Sequence, residues 1–135
     1  MDCIFCQIIA KKIPAKIIYE DEKYISILDI NPNTRGHALV IPKEHVADFT
    51  SLTDEQAADF VKIVHRLAPQ IIDILGVRGY NLGLNNGRVA GQLVDHVHWH
   101  IIPRWDDDGL VHWSCSQAAK DDLEQTFAKL QGKIK

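Results

Sequence analysis

A chain of 135 residues that is 46% hydrophobic and 24% charged has the length of about one domain and an ordinary globular composition, which excludes disorder. No apolar run exceeds four residues, against the roughly 20 that a membrane span needs, and the first residues lack the basic stretch and apolar core of a secretory signal, so a cytoplasmic protein that does not enter a membrane is expected. The net charge of −3, from fifteen basic and eighteen acidic side chains with no Lys/Arg run, excludes sequence-independent binding to a nucleic-acid polymer.

No internal repeat or Pro/Gly/Ser-rich linker divides the chain, so residues 1–135 are read as one domain. Ile4, Phe5, Ile8 and Ile9 share a helical face, which predicts a short helix over 3–9. Residues 16–20, 23–29 and 37–41 read as strands, broken by turn signals around Asn31-Pro32-Asn33 and Gly36. Thr53-x-x-Gln56 forms a capping box for a long helix carrying Ala57, Phe60, Val61, Val64, Leu67, Ala68, Ile71 and Leu75, with Gly76 as its cap. Pro69 lies inside that pattern, and a kink or break is expected there. Residues 79–85 and 95–102 read as two further strands around the loop 86–92. A last amphipathic helix carries Ala119, Leu123, Phe127, Leu130 and Ile134. Short-looped strands with helices between and after them predict an α+β domain with an antiparallel sheet.

Three of the seven histidines stand at 96, 98 and 100. On a strand their rings share one face while Val97, Trp99 and Ile101 pack on the other. A solvated face that merely uses histidine would leave this alternation unexplained. His96 and His100 start ~13 Å apart on a strand, too far for one zinc ion with bonds of about 2 Å unless the strand bends, although neighbouring rings could share an ion. Separate tasks therefore suit the three rings better. A neutral imidazole with one nitrogen protonated and hydrogen-bonded is a nucleophile at the other. Its attack on phosphorus gives a labile phosphoramidate, and a neighbouring imidazole can hold the phosphate oxygens. Phosphoryl or nucleotidyl transfer is the chemistry this array suits.

His96-x-His98-x-His100, with apolar residues between, resembles the defining motif of the histidine-triad (HIT) family of nucleotide hydrolases and transferases. The resemblance extends to Cys3-Ile4-Phe5-Cys6-Gln7-Ile8-Ile9, Ile13-Pro14-Ala15, Asp29-Ile30-Asn31-Pro32, Gly36-His37-Ala38-Leu39-Val40-Ile41-Pro42-Lys43-Glu44-His45, Asn85 and Gly91-Gln92. Residues 1–104 follow the family pattern, and 105–135 form a C-terminal extension.

The resemblance implies a HIT-like fold: a five-stranded antiparallel sheet with a short N-terminal, a long central and a C-terminal helix, assembled as a homodimer. It implies His98 as the nucleophile on the α-phosphorus of a purine nucleotide. His100 and His37 would lie at the phosphate, and His96 would support His98. Asp29 would hold the ribose hydroxyls, with Asn85, Gly91 and Gln92 on the phosphate side. The substrates implied are adenosine phosphoramidates and dinucleoside polyphosphates. Leu93 departs from the family, because the Ser or Thr common at that position can donate to the leaving group and leucine cannot.

Cys3 and Cys6 form a C-x-x-C, which alone is half of a tetrahedral site or simply two buried small residues. Bacterial-type family members with this N-terminus imply a structural zinc on Cys3, Cys6, His45 and His96. Two rival readings stand beside the hydrolase: a nucleotide-binding regulatory module with little turnover, and a metal-dependent hydrolase that uses the strand histidines. Trp105 and Trp113 are read as packing residues and Asp106-Asp107-Asp108 as a solvated turn. No role falls to His65, His112 or Cys115.

Overall fold

The computed structural model describes residues 2–135. Five strands, β1 (Ile17–Glu20), β2 (Tyr24–Leu28), β3 (Ala38–Pro42), β4 (Gly79–Gly83) and β5 (Trp99–Arg104), form one sheet in the order β1-β2-β3-β5-β4. Every neighbouring pair is antiparallel. The helices are α1 (Ile4–Ile9), α2 (Asp54–Leu75), α3 (Gln117–Asp121) and α4 (Leu123–Leu130). This is the α+β architecture expected. Among the described residues, no helix is long and apolar enough to cross a membrane.

The central strands are apolar at successive positions because both sheet faces are covered. Tyr24, Ala38, Val40 and Ile101 pack against Phe60, Ile63, Val64, Leu67 and Ala68 of α2. On the opposite face Ile25, Ile27, Leu39 and Ile41 pack against Phe5 and Ile8 of α1. Thr53 and Gln56 close the capping box at 3.1 and 2.9 Å, and Gly76, at φ 71°, ends α2 in the left-handed region. The expected break at Pro69 does not occur, since α2 runs through it. Pro69 is exposed, so the His65 carbonyl left without a helical donor faces the water side, while residues on either side of it anchor the helix to the sheet.

Two further expectations are corrected. The strand placed at 95–102 begins only at Trp99. β3 and β5 pair through Ala38–Ile101, Leu39–His100 and Val40–Trp99. The next steps in that register would bring Pro42 opposite Val97, but proline has no N–H for the ladder. Val97 N–H instead reaches the Val46 carbonyl at 2.8 Å. The single C-terminal helix is divided into α3 and α4 at Asp122, and every residue from Gly109 onward is exposed. Its apolar side chains find no sheet to pack on within the chain.

The three aspartates after β5 form more than a solvated turn. Asp106 meets Arg78 at 3.0 Å, Asp107 meets Arg35 at 3.1 Å, and Asp108 takes Arg104 at 2.8 Å. Trp105 donates to the Arg35 carbonyl and carries the Arg35 guanidinium 4.2 Å over its ring. Trp113, at 92% exposure, is not a packing residue within this chain.

Gly36, just before His37, has φ +89°, and a Cβ there would collide with Leu75 Cδ1 and lie 3.2 Å from Pro103 Cγ. Gly36→Ala is expected to lower stability by roughly 1–3 kcal/mol, measured as a lower urea midpoint with an unchanged m-value.

Candidate active site and metal centre

Hydrogen bonds assign the protons of the histidine row. His98 Nδ1 lies 2.8 Å from the carbonyl of His96. A carbonyl only accepts, so Nδ1 carries the proton and Nε2 keeps its lone pair. The Asn33 amide donates to His37 Nδ1 at 3.0 Å, which puts the His37 proton on Nε2. That Nε2 sits 2.9 Å from His100 Nδ1. His100 Nδ1 therefore accepts, and the proton of His100 lies on Nε2, a buried atom with no protein partner. A lone pair on one ring and an N–H on the next are thus presented side by side. The His98 and His100 ring centroids are 4.9 Å apart.

Asp29, His37 and His100 also bring potential ligand atoms within 4.8 Å of one another. In the proton order just derived the His37 Nε2–H points at His100 Nδ1, while Asp29 stands 3.8 Å from His37 Nε2 without a hydrogen bond to it, so lone pairs do not converge and the trio is a poor cation site.

A second cluster lies behind the row. Cys3 Sγ is 3.4 Å and Cys6 Sγ 3.6 Å from His96 Nδ1, Cys6 Sγ is 3.3 Å from His45 Nδ1, and the two nitrogens are 3.2 Å apart. Tetrahedral zinc with ordinary bond lengths requires ~3.3 Å between nitrogens and ~3.6 Å between sulfur and nitrogen. His96 Nε2 donates to the Pro42 carbonyl at 2.7 Å, which leaves Nδ1 with its lone pair toward the cluster. The four residues therefore fit zinc in donor type, spacing and tautomer. Cys3 is the residue preceding α1 and Cys6 lies on its first turn.

Two cavities meet at His100. One, of about 310 Å³, has walls of Ile4, Phe5, Ile8, Ile27 and Leu39, with Asp29 at its edge and His98 at its end. The other, of about 470 Å³, is lined by Asn31, Asn33, His37, Asn81, Asn85 and Arg104 among others. Asp29, Gly91 and Leu93 border both. Asp29 Oδ1 accepts the Asn31 amide at 2.9 Å, and Oδ2 lies 3.8 Å from His37 Nε2. Asn85 reaches the Gly91 carbonyl at 3.4 Å.

Gln92 departs from its expected place as a substrate contact. Its Oε1 accepts from Gly87 N–H, and its Nε2 donates to the carbonyls of Ala47 and Val94. It is 3% exposed and braces the loop. Sequence reasoning did not single out Phe5, whose ring lies edge-on to both His96 and His98; its signal was only its place between the two cysteines. Nor could it find the Asn33 and Pro42 contacts, which use backbone atoms.

A family model described as the HIT domain matches residues 10–107. The chain belongs to the HIT family. It is 41% identical over 137 residues to an adenosine 5′-monophosphoramidase of Schizosaccharomyces pombe, with 100% of both chains covered. A crystal structure of a HIT-family member from Bacillus subtilis superposes with a TM-score of 0.86 at 39% identity, covering 100% of this chain and 99% of that one. A zinc-bound histidine triad protein from Mycobacterium smegmatis gives a TM-score of 0.77 at 37% identity, with 99% of each chain covered.

In this HIT protein burial is the main influence on the imidazoles of the candidate site, and it pushes His37 and His98 below the ordinary range, partly offset at His37 by the Asp29 carboxylate and at His98 by the His96 carbonyl and then Asp29. His100 is pushed from 6.5 down to about 4, by burial first and then by the neighbouring rings of His98 and His37. A histidine that refuses a proton when folded loses stability as the unfolded chain takes that proton up. The His100 contribution is therefore intact above pH 6.5, declines as the pH falls from 6.5 to about 4, and falls no further below that. Thermal melts across this window should show a shallower acid-side decline for His100→Asn than for the wild type.

Proposed function

We propose that the chain hydrolyses purine nucleotides at the α-phosphate through a nucleotidyl-His98 intermediate and releases a nucleoside monophosphate. The observation that carries this reading is the proton order of the row, an Nε2 lone pair on His98 beside an Nε2–H on His100. The apolar cavity suits a purine base, and the Asp29 carboxylate that borders it supports a contact to the ribose hydroxyls. His98 Nε2 forms a bond to phosphorus as the bond from phosphorus to the leaving group breaks. His98 Nδ1–H remains on the His96 carbonyl and spreads the positive charge that develops on the ring. His100 Nε2–H donates to a phosphate oxygen, where negative charge grows. The leaving amine departs with a proton drawn from water in the second cavity. Water then attacks phosphorus, the P–N bond electrons return to Nε2, and the proton that water loses goes back to solvent.

Among the described residues lining the two cavities, Arg104 is the one Lys or Arg. Its guanidinium is engaged by Asp108, Asn81 and the Leu110 carbonyl. A polyphosphate leaving group would bring several negative charges against no free cation, whereas an amine brings none. This favours phosphoramidates over dinucleoside polyphosphates, in keeping with the names of the yeast relatives. Leu93 offers no donor, so protonation of the leaving group falls to solvent. The exposed Val111, Trp113, Leu123 and Phe127 support the homodimer reading.

His98→Ala is expected to reduce adenosine phosphoramidate turnover on the order of 10³-fold or more and to abolish a nucleotidyl adduct trapped on the wild-type His98 peptide. Tight AMP binding without turnover or adduct in the wild type would favour the regulatory-module reading instead.

The zinc is proposed to be structural. Its four protein ligands leave no open position, and when bound it would tie α1 to the His96 segment. Chelation is expected to lower the melting temperature by ~10 °C or more, since each kcal/mol is worth about 2–8 °C at this size. Turnover should persist in the chains that stay folded. Loss of turnover with the fold intact would support the metal-dependent rival.

A further inference from the structure

The geometry points to Phe5 as a positioning residue that transmits the placement of the Cys3–Cys6 turn to the ring of His98. This inference rests on His98 being the nucleophile. The His98 ring makes one hydrogen bond, at Nδ1. That bond fixes the tautomer but not the tilt of the ring, which rests on the rings packed against it, His100 at a centroid distance of 4.9 Å and Phe5. A wall is needed to hold the aim. Phe5, 7% exposed, lies with its ring centroid 5.0 Å from that of His98 at 78°, and 5.9 Å from that of His96 at 77°. One aromatic ring therefore abuts both the nucleophile and the metal-facing histidine that holds it.

The position of Phe5 is set from outside its own helix. α1 has six residues and no side-chain cap at its start, and a helix that short does not stand alone. Two things locate it. Phe5 and Ile8 are buried among Ile25, Ile27, Leu39 and Ile41, and Cys3 and Cys6 converge on His45 and His96. Fixing the thiols fixes the helix, and the helix carries the Phe5 ring to His98. This route to the nucleophile is separate from the backbone link through the His96 carbonyl.

Phe5→Leu keeps most of the volume but loses the flat ring, and Phe5→Ala loses both. Each zinc-loaded variant would be assayed for zinc content, AMP affinity, turnover of adenosine phosphoramidate, and the ¹⁵N imidazole signals of His98 with AMP bound. Zinc content equal to wild type is expected, with AMP affinity lowered because Phe5 also lines the apolar cavity, and with kcat at saturating substrate lowered as well, on the order of 10²-fold in Phe5→Ala and by less in Phe5→Leu. The His98 signals should keep their Nδ1–H pattern but shift and broaden as the ring samples an arc about that bond. Unchanged kcat in both variants would overturn the inference. So would a loss confined to AMP affinity, which would make Phe5 only a cavity wall, or a loss that tracks zinc release, which would make it only an anchor. If Phe5→Ala does not fold, Phe5→Leu carries the test. If the wild type turns over no phosphoramidate, the functional reading fails. The His98 signals then decide for Phe5 alone, and signals of unchanged position and width in Phe5→Leu overturn it.

Discussion

The hydrogen bond from His98 Nδ1 to the carbonyl of His96, 2.8 Å long, is the contact on which the site depends. It commits the lone pair of His98 to the far side of the ring, facing the cavity. It also makes the backbone of His96 part of the site, while the side chain of His96 turns away to the cysteines and His45. One residue thereby joins three environments through different atoms. Its peptide oxygen holds the ring of His98, its Nδ1 faces the candidate metal centre, and its Nε2 reaches the end of β3 through Pro42.

The same logic governs His100. Asn33 acts on His37, and His37 acts on His100, each by deciding where one hydrogen sits. The outcome is a donor placed beside a lone pair among neutral rings, because burial keeps them unprotonated near neutral pH. Neutrality matters for a nucleophile, since a protonated ring has no electron pair to give. The row therefore works by dividing tautomers rather than by accumulating charge.

Much of this was legible in the amino-acid pattern. The sheet, both terminal signals of α2 and the grouping of Cys3, Cys6, His45 and His96 came from periodicity, capping residues and the family resemblance. What escaped had specific causes. The start of β5 was misjudged because side-chain alternation continues through 95–98 while the ladder there has lost its donor at Pro42. Gln92 was expected at the phosphate by position in the family pattern, whereas its amide is taken up here by three backbone groups. The division at Asp122 was hidden because the apolar spacing is right for a helix, and only the absence of a covering surface within the chain shows that nothing holds the two halves in line. Pro69 was tolerated because it faces water.

A proline at the end of a strand is usually read as a stop signal and nothing more. At position 42 the imino nitrogen decides the character of a segment more than 50 residues away in the chain. With an amide there, the sheet could zip onward and hold residues 96–98 at the even stride of extended backbone. Without one, that stretch folds inward and crowds its rings, and the spare carbonyl of the same proline takes up the hydrogen of His96. A single missing hydrogen thus marks the border between the regular sheet and the candidate site.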